Sequence, residues 1–135
     1  MRARGLNVHK DSGWLTILRS IEPGLEVLRN GKWQPINPKF GKFIVNFGCA
    51  IEILMRESKT PVSAVAHRVK EQFEHRRQAD RFSYALFIDS SLDETVCPGL
   101  YKYIPNKGLI FEVEFRTFLN EILKNTYDAN TQGLY

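Results

Sequence analysis

The stretch from Gly5 to Leu18, GLNVHKDSGWLTIL, decides how this chain is read. Its second half, rich in Trp, Leu, Thr and Ile, suits a strand. Its first half sets His9 two residues before Asp11. In an extended strand, residues i and i+2 point to the same side. His9 and Asp11 are therefore expected to reach one metal ion from a single strand. A third donor, His67, stands far along the chain in VSAVAHRVKEQ. Two imidazoles and one carboxylate occupy one face of an Fe(II) ion and leave its other positions open for substrate and oxygen. A His-x-Asp pair is common by chance, so the weight falls on what surrounds it.

The 135 residues, 43% of them hydrophobic, suffice for one domain with one moderate core. No stretch approaches the roughly 20 apolar residues needed to span a bilayer, and the start, MRARGLNVHKDSG, has no apolar signal region. Cys49 and Cys97 lie far apart and read as free thiols, so a reducing, cytoplasmic setting is expected. No Cys-x-x-Cys or close His pair points to zinc. The net charge of +4 comes largely from Arg68, Lys70, Arg76, Arg77 and Arg81. Glu71, Glu74 and Asp80 are interspersed among them. The segment therefore reads as a solvated loop, with His75 in it, rather than a nucleic-acid footprint.

Short strand signals recur along the chain. Gly24–Leu28 and Lys32–Ile36 flank Asn30-Gly31, a strong hairpin signal because both positions accept positive φ in a type I′ turn. Phe43–Phe47 (FIVNF) reads as a buried strand, ended by Gly48 and resumed at Ile51–Met55. Ser63–Phe73 and Arg81–Asp89 are two more strands. Strands at this spacing predict a mainly β sandwich or barrel. Only the end looks helical: Phe111, Phe115, Phe118, Leu119 and Ile122 form an apolar stripe. The expected organisation is a β domain over residues 1–110, a packing helix over 111–125, and a frayed tail over 126–135.

Five ordered segments resemble the Fe(II)- and 2-oxoglutarate-dependent dioxygenases of the isopenicillin N synthase-like group. VHKDSGWLTIL resembles their His-x-Asp motif and Leu-Thr-x-Leu strand. GLEVLRNGKWQPINP resembles their Gly-Leu-x-Val hairpin. FIVNFGCAIEIL resembles the strand entering an Asn-x-Gly turn, AVAHRV the distal histidine, and RFS the Arg-x-Ser motif. The resemblance runs from about Gly5 to Asp89 and implies a double-stranded β-helix, the cupin-like jelly roll, with a C-terminal helix. It implies Fe(II) on His9, Asp11 and His67, and 2-oxoglutarate as cosubstrate. An arginine fork suits the far carboxylate, so Arg81 is expected to bind it, with Ser83 on the same side donating a further bond. The implied reaction couples decarboxylation of 2-oxoglutarate to oxidation of an unactivated C–H bond of a small metabolite by O2.

Two features depart from the family. Cys49 follows the glycine of the Asn-x-Gly turn, where many members are acidic, and a thiol there is open to oxidation. The chain is also about half the usual length, with few residues ahead of His9. It is expected to be the C-terminal part of such an enzyme, an incomplete jelly roll that exposes strand edges and self-associates. Two other readings stay open: a noncatalytic interaction module on the same fold, and an oxidase that dispenses with 2-oxoglutarate. Asn46 is placed beside the site or at a strand end, and Trp14 and Trp33 are assigned to packing.

Overall fold

The computed structural model describes residues 7–70 and 81–127. Its elements are β1 (Leu15–Ser20), β2 (Leu25–Arg29), β3 (Lys32–Pro35), β4 (Ile44–Phe47), α1 (Cys49–Met55), β5 (His67–Val69), β6 (Ser83–Ile88), β7 (Gly99–Ile104), β8 (Gly108–Glu114) and α2 (Phe115–Tyr127). Two three-stranded antiparallel sheets, ordered β4-β1-β6 and β3-β2-β5, supply the two walls of one cavity, and β7 and β8 form a separate hairpin. The chain is mainly β, as expected. Among the described residues no helix is long and apolar enough to cross a membrane.

The hairpin between β2 and β3 turns at Asn30 and Gly31, whose φ values of 51° and 73° are those the Asn-Gly pair was expected to adopt. Period-two alternation then sorts side chains between the sheet faces. Leu25 and Val27 of β2 are buried toward the cavity. Glu26 points outward, binds Arg68 of β5 at 2.8 Å, and Arg68 stacks 4.1 Å above Trp33. Trp33 is thus a packing residue of the hairpin, as expected.

Several boundaries differ from the sequence reading. His9 and Asp11 do not share a strand: His9 forms an isolated antiparallel bridge with His67, Asp11 lies in the connection that follows, and β1 begins only at Leu15. Ile51–Met55 is helix, not strand. The Ile-Glu-Ile alternation there imitates a strand, but Cys49, Ala50 and Ile53 bring one helical face onto the core. Phe43–Phe47 is not buried: Phe43, Val45 and Phe47 are 63%, 57% and 42% exposed on the outer side of an edge strand. Residues 111–114 belong to β8, so the final helix starts at Phe115 rather than at 111. The β7–β8 hairpin itself was not anticipated. Of the strand expected over Ser63–Phe73, β5 covers three residues, and the charged segment 71–80 with His75 lies outside the described residues.

The main apolar core sits at one end. Cys49 and Ala50 of α1, Ala64, Leu100 of β7, and Phe115, Phe118 and Ile122 of α2 are buried together, with Trp14, Ile53, Val113 and Leu119 against them. The aromatic stripe is therefore packing, as expected, except that Phe111 faces out from β8, half exposed. This core holds α1, and α1 in turn holds the loop that carries Asp11.

Candidate metal centre

Backbone pairing brings the distant donors together. His9 donates its amide to the His67 carbonyl at 3.0 Å, and His67 returns the bond at 2.9 Å. His67 is also paired with Val27 of β2, so it lies between two neighbours and its ring is held on the cavity side. The two imidazole rings have centroids 4.3 Å apart. Asp11 arrives from the connection to β1, and that connection is tied to the start of α1. The amide of Cys49 bonds the Asp11 carbonyl at 2.8 Å, and that of Ala50 bonds the carbonyls of Ser12 and Gly13. Gly48 is required here because a Cβ would run into the Gly13 carbonyl oxygen. The glycine of the Asn-x-Gly turn is thus explained by close approach of two backbones.

The donor atoms converge. The Nε2 atoms of His9 and of His67 each stand 3.5 Å from Asp11 Oδ1. One donor atom from each of the three residues lies within 4.8 Å of the others. Adjacent ligands on an ion with bonds of about 2.1 Å stand about 3 Å apart, so each imidazole–carboxylate separation lies about half an ångström from bonding geometry. The ring tautomers suit a metal as well. His9 Nδ1 faces the Asn7 carbonyl at 2.8 Å and His67 Nδ1 faces the Val65 carbonyl at 3.1 Å. A proton on each Nδ1 satisfies these carbonyls and leaves Nε2 as the atom turned toward Asp11; in His9 it donates to that carboxylate in the metal-free protein, and in both rings it is the atom a metal would take once the ring is neutral. The donor set fits a divalent ion that accepts nitrogen and carboxylate oxygen.

Charge is arranged around the same atoms. Burial works against the anion of Asp11. Hydrogen bonds from His9, Asn46 and Thr16, with the charge of His67, overcome it and hold the carboxyl well below its usual range. Burial also opposes the cation of His9, but Asp11 and the Asn7 carbonyl outweigh it and raise its pKa. His67 goes the other way, lowered by burial and by His9 despite the pull of Asp11. Cys49 is buried at the base of α1, and burial with nearby Glu52 pushes its thiol up to about 11. It is therefore a protonated thiol near neutral pH, not the reactive thiolate that its position raised as a concern.

The cavity over these donors measures about 250 Å³. It is lined by both expected groups of residues, His9, Asp11 and His67 on one side and Arg81 and Ser83 on the other, with apolar Leu18, Val27, Ile44 and Val69 among them. Arg81 is its one cationic side chain among the described residues. Its Nε donates to the Pro23 carbonyl at 3.0 Å and its Nη2 to Ser20 Oγ at 3.1 Å. Ser20 in turn donates to the Glu22 carbonyl at 3.0 Å. These bonds fix the plane of the guanidinium and leave other N–H groups for an anion. Along β1 the inward row runs from Thr16, which touches Asp11, to Ser20, which touches Arg81. Four residues of strand set these anchors about 13 Å apart.

Residues 1–90 match the 2OG-Fe(II) oxygenase superfamily. The chain belongs to that superfamily. It is similar to thebaine 6-O-demethylase of Papaver somniferum, 34% identical over 112 residues, covering 82% of this chain and 29% of that one. It is 36% identical over 136 residues to 2-oxoglutarate-dependent dioxygenase 11 of Oryza sativa subsp. japonica, covering 97% and 35%. A third relative, 1-aminocyclopropane-1-carboxylate oxidase 1 of Arabidopsis thaliana, is 36% identical over 99 residues, covering 71% and 30%. The chain spans about a third of the length of these relatives. A full-length Neurospora crassa protein, solved in complex with alpha-KG, shares the fold with a TM-score of 0.63 at 21% identity, over 90% of this chain and 37% of that one.

Three residues around the site were not legible in the sequence, or only half so. Thr16 was quoted only as part of a strand, yet its hydroxyl donates to Asp11 Oδ2 at 2.5 Å. Asn46 donates to the same oxygen at 2.8 Å. Glu52 of α1 is the third. Its Oε2 takes the Ala64 amide at 2.6 Å and the Lys10 ammonium at 3.4 Å. It thereby ties the approach to His67 to the residue between His9 and Asp11. The signal available in the sequence was an acidic residue on an otherwise apolar helix.

Proposed function

We propose that this chain carries the metal- and cosubstrate-binding part of an Fe(II)- and 2-oxoglutarate-dependent oxygenase acting on a small metabolite in the cytoplasm. His9, Asp11 and His67 hold the metal in this reading; Arg81 and Ser83 hold the far carboxylate of 2-oxoglutarate. The observation that supports it is the convergence of two Nε2 atoms and one carboxylate oxygen in a cavity that also holds a tethered arginine. Fe(II), when bound, supplies the oxidising chemistry, with O2 as oxidant and the cosubstrate as reductant.

The chain's own residues supply position and exclusion. Two imidazole Nε2 atoms in their neutral form and the buried, anionic Asp11 match the charge of the ion. Arg81 presents a planar fork that a lysine cannot reproduce. Among the described residues the lining offers no second cation beside Arg81, so a prime substrate is gripped there mainly by shape. Oxidation of an unactivated C–H bond by hydroxylation, desaturation, or ring closure or expansion falls within the proposal, as does an isopenicillin N synthase-like placement in secondary metabolism. In this reading the described residues up to Glu114 belong to the jelly-roll part, with the terminal helix packed on it.

Anaerobic addition of Fe(II) and then 2-oxoglutarate tests the reading. The weak visible charge-transfer band of the chelate is expected, lost in His9→Ala and weakened in Arg81→Ala and Arg81→Lys. Iron binding with no response to 2-oxoglutarate would favour an oxidase that does without it. Absence of iron binding would leave a noncatalytic module.

A further inference from the structure

Asp11 is held so that its two oxygens face different partners. Oδ1 stands 3.5 Å from each imidazole Nε2. Oδ2 receives both the Thr16 hydroxyl and the Asn46 amide. These two donors come from different strands, and register explains why they meet: Thr16 of β1 lies directly opposite Asn46 of β4. Thr16 is buried, 5% exposed, at a strand position where valine would fit equally well by shape. A buried hydroxyl is costly unless it is bonded, and here its acceptor is the carboxylate.

We infer that Thr16 and Asn46 are positioning residues that restrict Asp11 to one-oxygen ligation by occupying Oδ2. The inference rests on the metal site proposed above. A carboxylate that binds an ion through one oxygen takes one coordination position, whereas one that binds through both takes two. Three single-atom ligands leave half of a six-coordinate ion free, which is what a chelating keto acid and a third small ligand require. With both donors on Oδ2, rotation of the carboxylate to present its second oxygen would break two hydrogen bonds in a buried site. The cost of losing charge-assisted bonds of this type makes the one-oxygen arrangement the favoured one. Thr16 and Asn46 then set the coordination number without touching the ion.

Co(II) is the probe, because its visible d–d spectrum reports coordination and it is stable in air. The full chain is titrated as wild type, Thr16→Val, Thr16→Ser, Asn46→Ala and His9→Ala, with circular dichroism to confirm folding. Thr16→Val and Asn46→Ala are expected to bind Co(II) about 10- to 100-fold more weakly. Their d–d spectrum should change in shape, while Thr16→Ser keeps both affinity and spectrum. A merely structural role would lower the melting temperature yet leave folded variants with wild-type affinity and spectrum, and that result overturns the inference. Should Thr16→Val fail to fold, Asn46→Ala against Thr16→Ser carries the same test. Loss of binding in His9→Ala with no change in the Thr16 and Asn46 variants would sink this inference alone. A wild type that ignores Co(II), or a His9→Ala that binds it equally well, would sink the metal site and this inference together.

Discussion

At one end of the molecule, Leu100, Phe115, Phe118 and Ile122 are 8% exposed or less and close around the first turn of α1. On the outer face of β4-β1-β6, Val45, Tyr84, Leu86 and Ile88 are equally apolar but 57%, 74%, 60% and 41% exposed. The candidate metal site leans on the first region. Amides of Cys49 and Ala50 hold the carbonyls of residues 11–13, and Glu52 braces both histidine-bearing segments. Among the described residues of β6, inward Ser83 and Ala85 line the cavity, whereas outward Tyr84, Leu86 and Ile88 do not. Packing energy and donor geometry are therefore coupled through α1, while the exposed sheet face bears on association. We propose that face as the surface through which copies of this chain would associate.

The sharpest way to break the contrast is to hollow out the packed end. Phe118→Ala is expected to cost about 3–5 kcal/mol, a large share of a domain stability of about 5–15 kcal/mol. Chemical denaturation followed by circular dichroism would read it, and metal affinity should fall with it. A loss below about 1 kcal/mol would show that α2 does not support α1.

A smaller effect is expected from metal and proton together. A divalent ion at 100 times its dissociation constant adds about 2.7 kcal/mol, and His67→Ala should abolish that gain. The gain depends on pH with a definite sign. The raised pKa of His9 contributes stability to the metal-free fold that is fully present below its unfolded value near 6.5 and is lost as pH rises through the folded value. The lowered pKa of His67 acts oppositely, with stability present above its unfolded value and lost as pH falls. The ion needs both rings neutral, so its added stability should grow as pH rises through the His9 titration. Melting temperatures with and without Co(II) from pH 5.5 to 8 would show a widening gap; a gap constant with pH would contradict the ligation.

The least change in stability is expected on the open face. Leu86→Lys should alter folding by less than about 0.5 kcal/mol, because the side chain is mostly exposed already. It should nonetheless shift sedimentation toward the monomer. An unchanged mass distribution would show that association, where it occurs, uses other surfaces.

Much of the site was legible because its chemistry restricts residue type. Histidine, aspartate and arginine in an ordered set of motifs point to ligands before any pairing is known, and His9, Asp11, His67, Arg81 and Ser83 all line one cavity. The role of Thr16 was not legible, because it depends on register: only pairing with Asn46 aims both at one oxygen. The first helix was hidden by an Ile-Glu-Ile pattern that fits either period over so few residues. The β7–β8 hairpin was hidden differently. Phe111 and Phe115 sit at helical spacing, which drew the strand residues 111–114 into the expected helix. Its turn carries Asn106 and Gly108 at φ 69° and 80°, a signal that the aromatic stripe overshadowed.

Anomalous diffraction from crystals grown with Mn(II) and 2-oxoglutarate addresses the central claim most directly. One strong anomalous peak is expected, bonded to His9 Nε2, His67 Nε2 and a single oxygen of Asp11, with the far carboxylate of the acid on Arg81. A peak elsewhere, or none within bonding distance of both imidazoles, would contradict it.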